Sequence, residues 1–330
     1  MGNFQYGSQY YHSFETGSLA SARSIVPIIM KLAEPSSVID IGCGVGAWLS
    51  AFRENGVKEI LGVDGEYVNR DLLHIPPEFF LGADISQPLD LGGKRYDLAI
   101  CMEVAEHIWH LSAGVLVDTL TKLSDMILFS AAIPWQGGTH HVNERWIHYW
   151  IELFEQRGYK AVDAIRRKVW NSPDVEPCYK QNSIIFCTQE KLDNIVNLQR
   201  EYERTDLNMI SIVHPDIYLT RLAQTGMITL NSYKKLDKKI IVFGTGGISE
   251  VICNNSNIQI SYFIDNNKKK WGSNFLGKPV KSPEAILEES KDSFAVIILS
   301  SYYQQIAKQV KGFGLEENTD FWNGLLEYNE

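Results

Sequence analysis

The chain has 330 residues, which is long for one domain and predicts two. Hydrophobic residues make up 45% and charged residues 22% of the chain, and no apolar run approaches the roughly 18–20 residues that a transmembrane helix needs. The net charge of −9 argues against nucleic acid as a partner, because proteins that bind a phosphate backbone usually present a basic face.

The N-terminus and the cysteines indicate a cytoplasmic protein. Residues 1–18 have neither the basic start nor the apolar centre of a secretory signal. The five cysteines are odd in number, scattered and without a CxxC pair, which argues against a disulfide framework and against a thiolate zinc site.

The first part of the chain alternates between helical and strand patterns. Helices are predicted at 18–33, 46–56, about 112–123 and 143–158, the last with Asn143 as its N-cap. Strands are predicted at 37–42, 59–64, 78–84, 96–102, 126–133, 159–165 and 181–187. This alternation predicts a mostly parallel sheet with helices on both faces, and such sheets bind ligands at the carboxyl ends of their strands.

The remainder divides into a connector and a second α/β unit. Residues 1–188 form the first domain, and residues 189–238 lose the alternation and are interpreted as a helical connector with a helix near 190–204. In 239–330, strands are predicted at 239–244, 258–265 and 293–301 and helices at 282–290 and 302–314. This second domain is predicted to be smaller than the first.

Three glycines follow the first predicted strand in "VIDIGCGVGAW", residues 38–48. Glycine lets the backbone approach a ligand closely, although such a loop alone is shared by many nucleotide-binding folds. Asp40 lies in the strand itself. Asp64 ends the second strand, where a carboxylate can accept hydrogen bonds from both hydroxyls of a ribose. Asp84 ends the third strand, where a carboxylate can meet an adenine amino group.

Residues 38–107 resemble the class I S-adenosylmethionine-dependent methyltransferases. "VIDIGCGVG", "GVD", "GADIS" and "YDLAICMEVAEHI" match the successive motifs of that family in order and spacing, and the resemblance extends over roughly 18–190. It implies a seven-stranded, mostly parallel sheet with an antiparallel last strand, and S-adenosylmethionine as the cofactor. It also implies that the cofactor's methionine part is wrapped by Gly42, Cys43, Gly44 and Gly46. By the same resemblance Asp64 holds the ribose, Asp84 and Ile85 contact adenine, and Glu103 lies beside the methionine part or the substrate.

Histidines are concentrated after the fourth and fifth strands. Five of the eight lie in this region: His107, His110, His140, His141 and His148. Loops after neighbouring parallel strands meet over the reactive end of the cofactor. This polar cluster is therefore predicted to line the entrance of the substrate-binding pocket. If the acceptor is a hydroxyl group, His107 or His141 suits the removal of its proton, and Glu144 suits the orientation of such a histidine. We predict that His141 points inward within reach of His107 and that His140 turns outward.

A divalent metal site is the alternative use of the same loops. Glu103, Glu106, His107 and His141 are two carboxylates and two imidazoles, which suit a divalent ion. The pattern is similar to metal-dependent members of the superfamily, the small-RNA 2′-O-methyltransferases and the ubiquinone-pathway O-methyltransferases. Methyltransferases without metal also carry "EVxEH", with the acids capping the following helix, so both interpretations stay open.

The acceptor is indicated only by resemblance. "SAAIPWQGGTHHVNERW" resembles a bacterial methyltransferase group associated with glycan and polysaccharide biosynthesis, which implies a sugar, a glycan or another small-molecule acceptor. Two alternatives remain: a metal-dependent RNA 2′-O-methyltransferase and a non-catalytic scaffold. The complete set of cofactor acids favours an enzyme.

The second domain has its own glycine loop, "IVFGTGGIS" at 241–249, and Asp265 ends its next strand. By motif alone this is a dinucleotide fingerprint, but GxGG is not the full pattern and the unit has only about 92 residues. The segment that follows resembles the small Rossmann-like domains appended to bacterial polysaccharide-modifying enzymes. The resemblance implies a structural role or the docking of a protein partner.

Overall fold

The computed structural model describes residues 8–290 and 292–325, with residues 8–16 described by their backbone alone. The chain separates into two compact units, Met1–His214 and Pro215–Glu330. The segment 189–238, predicted as a connector, is divided between them. None of the helices in the described ranges is both long and apolar enough to cross a membrane.

A seven-stranded sheet organises the N-terminal unit, in the order β3-β2-β1-β4-β5-β7-β6. Its strands are β1 Ser37–Ile41, β2 Glu59–Asp64, β3 Phe80–Gly82, β4 Leu98–Met102, β5 Met126–Ser130, β6 Tyr159–Val162 and β7 Ile184–Thr188. Strands β1 to β5 pair in parallel, whereas β7 runs antiparallel to both β5 and β6. The predicted mostly parallel sheet with an antiparallel last strand is confirmed.

Helices cover both faces of this sheet. They are α1 Ser8–Ala33, α2 Ala47–Glu54, α3 Ala113–Leu123, α4 Ile147–Glu155, α5 Arg166–Val169, α6 Pro177–Asn182, α7 Gln189–Asn194 and α8 Val196–Glu203. The central strands β1, β4 and β5 are buried along their whole length, as parallel strands between two helical layers should be. Along β1, Val38 packs into one apolar cluster and Ile39 into the other. Asp40 is the one charged residue of β1, and it is buried like its neighbours in the strand.

Several predicted boundaries near the functional loops were wrong. The strand predicted at 181–187 begins at Ile184, because α6 continues to Asn182, and the strand predicted at 126–133 ends at Ser130. The third strand is only three residues long, because a short 3-10 helix occupies Pro77–Phe79. Helix α4 begins at Ile147 with Trp146 as its N-cap, not at Asn143. Asn143 is buried instead, and its Nδ2 donates to the Ala105 carbonyl at 3.4 Å. Its side chain therefore joins two loops rather than capping a helix.

The C-terminal unit contains a six-stranded sheet in the order β10-β11-β9-β8-β12-β13. The strands are β8 Lys239–Phe243, β9 Ile260–Ile264, β10 Asn274–Phe275, β11 Lys278–Lys281, β12 Phe294–Ile298 and β13 Phe321–Asn323. Its helices are α9 Pro215–Gln224, α10 Gly247–Asn254 and α11 Tyr303–Gly312. The predicted helix at 282–290 is a 3-10 helix, Pro283–Glu288, without a side-chain cap. This is the second, smaller α/β domain that the sequence predicts.

Candidate active site

The loop between β1 and α2 requires glycine at Gly42 for two reasons. Its φ is +84°, and a Cβ atom there would lie 2.4 Å from Cγ2 of Val104. The amides of Gly42 and Cys43 both donate to the Val63 carbonyl, which holds the loop against the end of β2. Gly44 differs, because a Cβ atom there would meet nothing within 4 Å. The loop therefore packs tightly at its start and borders open space at its centre.

Two carboxyl groups lie under this loop. The Gly44 amide donates to Asp64 Oδ2 at 2.7 Å, so the loop is bonded to the acid that ends β2. Asp40 is almost fully buried, and its Oδ2 has no hydrogen-bond partner in the described structure. Burial raises the pKa of Asp40 well above its usual range, and the nearby charge of Asp64 adds to that effect. Asp40 is therefore a buried acid at the base of the loop.

The remaining residues predicted to hold the cofactor lie around the same edge of the sheet. Gly46 has left-handed backbone geometry and is the N-cap of α2. Asp84 follows β3 on an exposed turn, where its Oδ1 accepts hydrogen bonds from the amide and hydroxyl of Ser86. Ile85 is half-buried against the apolar core.

Backbone hydrogen bonds to Glu106 connect the loops that follow β4 and β5. The amides of Val142 and Asn143 donate to the Glu106 carbonyl at 2.8 and 3.0 Å. Glu106 is 0% exposed, and its carboxyl group lies beside that of Glu103 and the backbone of Ala132. The buried Nδ1 of His107 has no hydrogen-bond partner in the described structure. Glu106, His107 and His141 each offer one ligand atom, and these atoms lie within 4.8 Å of one another.

Glu144 fixes the position of His141. Its carboxylate accepts the amides of Trp135 and Gly137 at 2.8 and 2.7 Å, and it lies 3.0 Å from His141 Nδ1. A carboxylate can only accept, so Nδ1 carries the proton and Nε2 of a neutral His141 keeps its lone pair. The His141 ring lies edge-on to that of His107, with 4.9 Å between centroids, whereas His140 is exposed.

Glu103 is held by amides that the sequence analysis missed. Nε2 of Gln136 donates to its Oε2 at 3.0 Å, and Nδ2 of Asn182 donates to its Oε1 at 3.1 Å. The structure therefore brings three of the four proposed metal ligands together, and it places Glu103 in an amide network beside them. A signal was present: polar residues 180–183 precede β7, and the start of an antiparallel strand lies at the carboxyl ends of its parallel neighbours.

Burial sets the protonation of two members of this cluster. It raises the pKa of Glu106 well above its usual range, and the charge of Glu103 adds to the effect. Burial also lowers the pKa of His107 to about 4, with a further contribution from His141. His107 is therefore a neutral imidazole near pH 7, which is the form that binds metals.

Three exposed tryptophans lie near the cluster in the sequence. Trp109, Trp135 and Trp146 have 55%, 77% and 42% of their surface exposed. Trp109 follows His107 by two residues, and the Trp135 amide is bonded to Glu144. Large exposed aromatic rings next to a polar site are typical of a surface that contacts a ligand.

Comparison with protein families assigns the N-terminal unit. Residues 18–126 match the model of a methyltransferase domain, and residues 236–319 match a model described as C2185-like, N-terminal. The first match includes the glycine loop, Asp64, Asp84 and Glu103, and it ends before His141 and Glu144. The N-terminal unit thus contains a methyltransferase domain, and the chain is an enzyme of the methyltransferase class.

Several solved methyltransferase structures are similar to this chain over about half of its length. The methyltransferase domain of bacterial CtHen1-C is 17% identical, with a TM-score of 0.38 over 52% of this chain and 98% of that one. Magnesium protoporphyrin IX methyltransferase (ChlM) from Synechocystis PCC 6803 with bound SAM is 18% identical, with a TM-score of 0.41 over 57% and 87%. The plantazolicin methyltransferase BpumL in complex with SAH is 16% identical, with a TM-score of 0.39 over 55% and 89%. Comparison with curated protein sequences found no match.

Proposed function

We propose that the methyltransferase domain transfers a methyl group from S-adenosylmethionine to an oxygen atom of its acceptor, beside a divalent cation held by Glu106, His107 and His141. The observation that carries this proposal is the Glu106 carboxyl group, which is fully buried beside the Glu103 carboxyl group and next to two imidazoles. A buried carboxyl group in that state is costly unless a ligand completes its surroundings.

The glycine loop fits S-adenosylmethionine. Open space over Gly44 and the unpartnered Oδ2 of Asp40 are what a ligand laid across the loop would fill. The residues that would wrap its methionine part are Gly42, Cys43, Gly44 and Gly46, with Glu103 beside it; Asp64 would hold the ribose, and Asp84 and Ile85 the adenine. When bound, this cofactor supplies a methyl group on a positively charged sulfur. The protein's own contribution is alignment, which is worth up to ~7–11 kcal/mol in well-oriented reactions.

The ligand set fits a hard or borderline divalent cation. One carboxylate and two imidazoles leave positions open for water or for an acceptor hydroxyl. When bound, such an ion acts as a Lewis acid that lowers the pKa of a coordinated hydroxyl group. Glu144 would then keep His141 in the tautomer that presents Nε2, as carboxylates do for many ligating histidines. Glu103, held by Gln136 and Asn182, would stay outside the first set of ligands.

A second mechanism has its own supporting observation. The pair formed by His141 Nδ1 and Glu144 Oε1 is the arrangement of a general base and its orienting carboxylate. In that mechanism His141 removes the acceptor proton without a metal. His107 suits this task less well, because its pKa of about 4 makes it a weak base near neutral pH.

For the acceptor we propose a sugar, a glycan or another small molecule, in bacterial polysaccharide biosynthesis in the cytoplasm. Exposed Trp109, Trp135 and Trp146 support an acceptor with an apolar ring face. The net charge of −9 argues against an RNA 2′-O-methyltransferase, and the buried Glu106 site argues against a non-catalytic scaffold. We further propose that the C-terminal unit serves a protein partner or stabilises the enzyme.

Thermal denaturation with Mg²⁺, Mn²⁺ or Co²⁺ tests the metal. At a concentration about 100 times its Kd, a bound cation should stabilise the protein by roughly 2.7 kcal/mol. Glu106→Gln should remove this response, and the matched variant His140→Ala, at the exposed neighbour of His141, should keep it.

Methyl transfer with and without a chelator distinguishes the two mechanisms. Loss of activity on chelation supports the metal mechanism, whereas activity that survives chelation but is lost in His141→Ala supports the general base. Labelled S-adenosylmethionine with nucleotide sugars, glycans and RNAs identifies the acceptor, and wild-type protein that binds neither cofactor nor cation contradicts the proposal.

A further inference from the structure

We propose that Tyr67 occupies the place of a ribose hydroxyl on Asp64 in the cofactor-free protein, so that the cofactor binds only by displacing it. Tyr67 would then be a residue that sets the affinity for the ribose. This inference rests on the proposed function, in which Asp64 holds the ribose.

The hydrogen bonds of Asp64 are nearly saturated. Its Oδ1 accepts the Gly65 amide and the Tyr67 hydroxyl, both at 2.6 Å, and its Oδ2 accepts the Gly44 amide at 2.7 Å. A carboxylate offers about four lone-pair sites, so these three donors leave about one. A ribose diol presents two hydroxyl donors and needs two such sites. The two amides belong to the backbone and stay in place, which leaves the Tyr67 hydroxyl as the donor that can move.

Gly65 is shaped to receive the Tyr67 ring in this position. A Cβ atom on Gly65 would lie 2.0 Å from Cε1 and 2.4 Å from Cδ1 of Tyr67, so only glycine lets the ring lie there. The backbone of Gly65 does not have a positive φ, so its conformation alone does not require glycine. The absence of a side chain at Gly65 therefore serves the contact with the ring.

The exposure of the two side chains permits an exchange. Asp64 is 5% exposed, whereas Tyr67 is 52% exposed and can leave the carboxylate without disturbing the core. A ligand with two free ribose hydroxyls replaces the phenol bond and uses the spare site as well. A ligand with a single hydroxyl can use the spare site without moving Tyr67, whereas a ligand with two free hydroxyls must also replace the phenol bond.

Titration calorimetry with S-adenosylhomocysteine on the full chain tests this inference. Tyr67→Phe keeps the ring and removes the competing hydroxyl, so it should bind roughly three- to tenfold more tightly than wild type. Tyr218→Phe is the matched control, because Tyr218 has a similar exposure of 56% and lies in the other unit. It should leave the affinity unchanged. In a Gly65→Ala background the ring cannot take its place, so Tyr67→Phe should there have no further effect.

Each outcome separates this inference from the proposed function. Wild-type protein that binds S-adenosylhomocysteine while Tyr67→Phe binds equally or more weakly overturns only the role of Tyr67. A Tyr67→Phe effect of undiminished size in the Gly65→Ala background overturns it as well. Failure of both wild type and Tyr67→Phe to bind contradicts the proposed function itself. Binding by Tyr67→Phe alone supports both.

Discussion

Both units place a glycine-rich loop after a parallel strand and an aspartate 20 residues further on, bonded to that loop. In the N-terminal unit the Gly44 amide donates to Asp64 Oδ2 at 2.7 Å. In the C-terminal unit the Thr245 amide donates to Asp265 Oδ2 at 3.0 Å. By sequence pattern the two loops are alternatives for the same task of binding a nucleotide-like ligand.

The two aspartates differ in the groups that surround them. Asp265 also accepts the Thr245 hydroxyl and the Asn267 amide, and Lys270 Nζ lies 3.4 Å from it. The acid of the C-terminal unit therefore forms a partly exposed ion pair with a lysine of its own chain. Asp64 has only uncharged donors and forms no ion pair with any residue that the structure describes.

A second difference is what lies under the loop. In the N-terminal unit Asp40 is buried with an unpartnered oxygen, and its carboxyl group lies near enough to Asp64 for the two charges to interact. The described part of the C-terminal unit has no buried carboxyl oxygen without a partner. The two loops therefore share a backbone pattern, whereas among the described residues only the N-terminal loop lies over a buried carboxyl oxygen without a partner.

Alanine should give the largest difference between a strained, tightly packed glycine and an unstrained one. Gly244 corresponds to Gly42 in the second loop and is strained in the same way, with a φ of +112° and a Cβ position 2.7 Å from the Leu299 carbonyl oxygen, so Gly246 is the unstrained reference. Gly42→Ala adds a Cβ atom 2.4 Å from Val104 at a φ of +84°, so it should cost roughly 3 kcal/mol or more of unfolding free energy. Gly246→Ala has open space around its Cβ and should stay within about 0.5 kcal/mol of wild type. Urea denaturation measures both, and equal losses would contradict the comparison.

Alanine substitutions at Asp64 and Asp265 should affect the affinity for S-adenosylhomocysteine differently. Asp64→Ala should weaken S-adenosylhomocysteine binding by about 2 kcal/mol, or roughly 30-fold, because hydrogen bonds to a charged group are lost. Asp265→Ala is the matched control and should leave this affinity unchanged. Calorimetry that shows the same affinity for Asp64→Ala and wild type would refute the role of Asp64.

The sheet and the first glycine loop could be predicted because their signals are local. Buried parallel strands read as short apolar runs, and a positive φ at Gly42 selects glycine within a few residues of the strand. The antiparallel direction of β7, by contrast, came from the family resemblance.

Other parts of the site could not be predicted, because they depend on contacts across the fold. Asn143 has the sequence position of a helix cap, but the Ala105 carbonyl of another loop draws it into the interior. Gln136 and Asn182 meet at Glu103 although 46 residues separate them. Tyr67 resembles any exposed loop residue until its bond to Asp64 is seen.

The pH dependence of stability should reveal the buried carboxyl group of Glu106 in the N-terminal unit. Burial raises the folded-state pKa of Glu106, whereas an unfolded glutamate titrates near 4.3. As pH rises above about 4, the unfolded chain releases this proton first, so stability falls until the folded-state pKa is passed. With chelator present, Glu106→Gln should therefore be more stable than wild type at pH 8, by about 1–2 kcal/mol, and the gain should vanish near pH 4. Urea denaturation across this range measures it, and a constant difference would contradict the assignment.

The smallest effect is expected when the ion pair of the C-terminal unit is opened. Lys270 is 40% exposed in its side chain, and such pairs contribute at most about 1 kcal/mol, so Lys270→Met should lower the unfolding free energy by less than that. Lys269→Met, at the exposed neighbouring lysine, is the matched control. Asp265 keeps its bonds to Thr245 and Asn267 in either variant, so NAD should bind to neither of them in a calorimetric titration. Binding of NAD to Lys270→Met alone would show that a single cation separates the two loops, and that their backbones are equally able to hold a nucleotide.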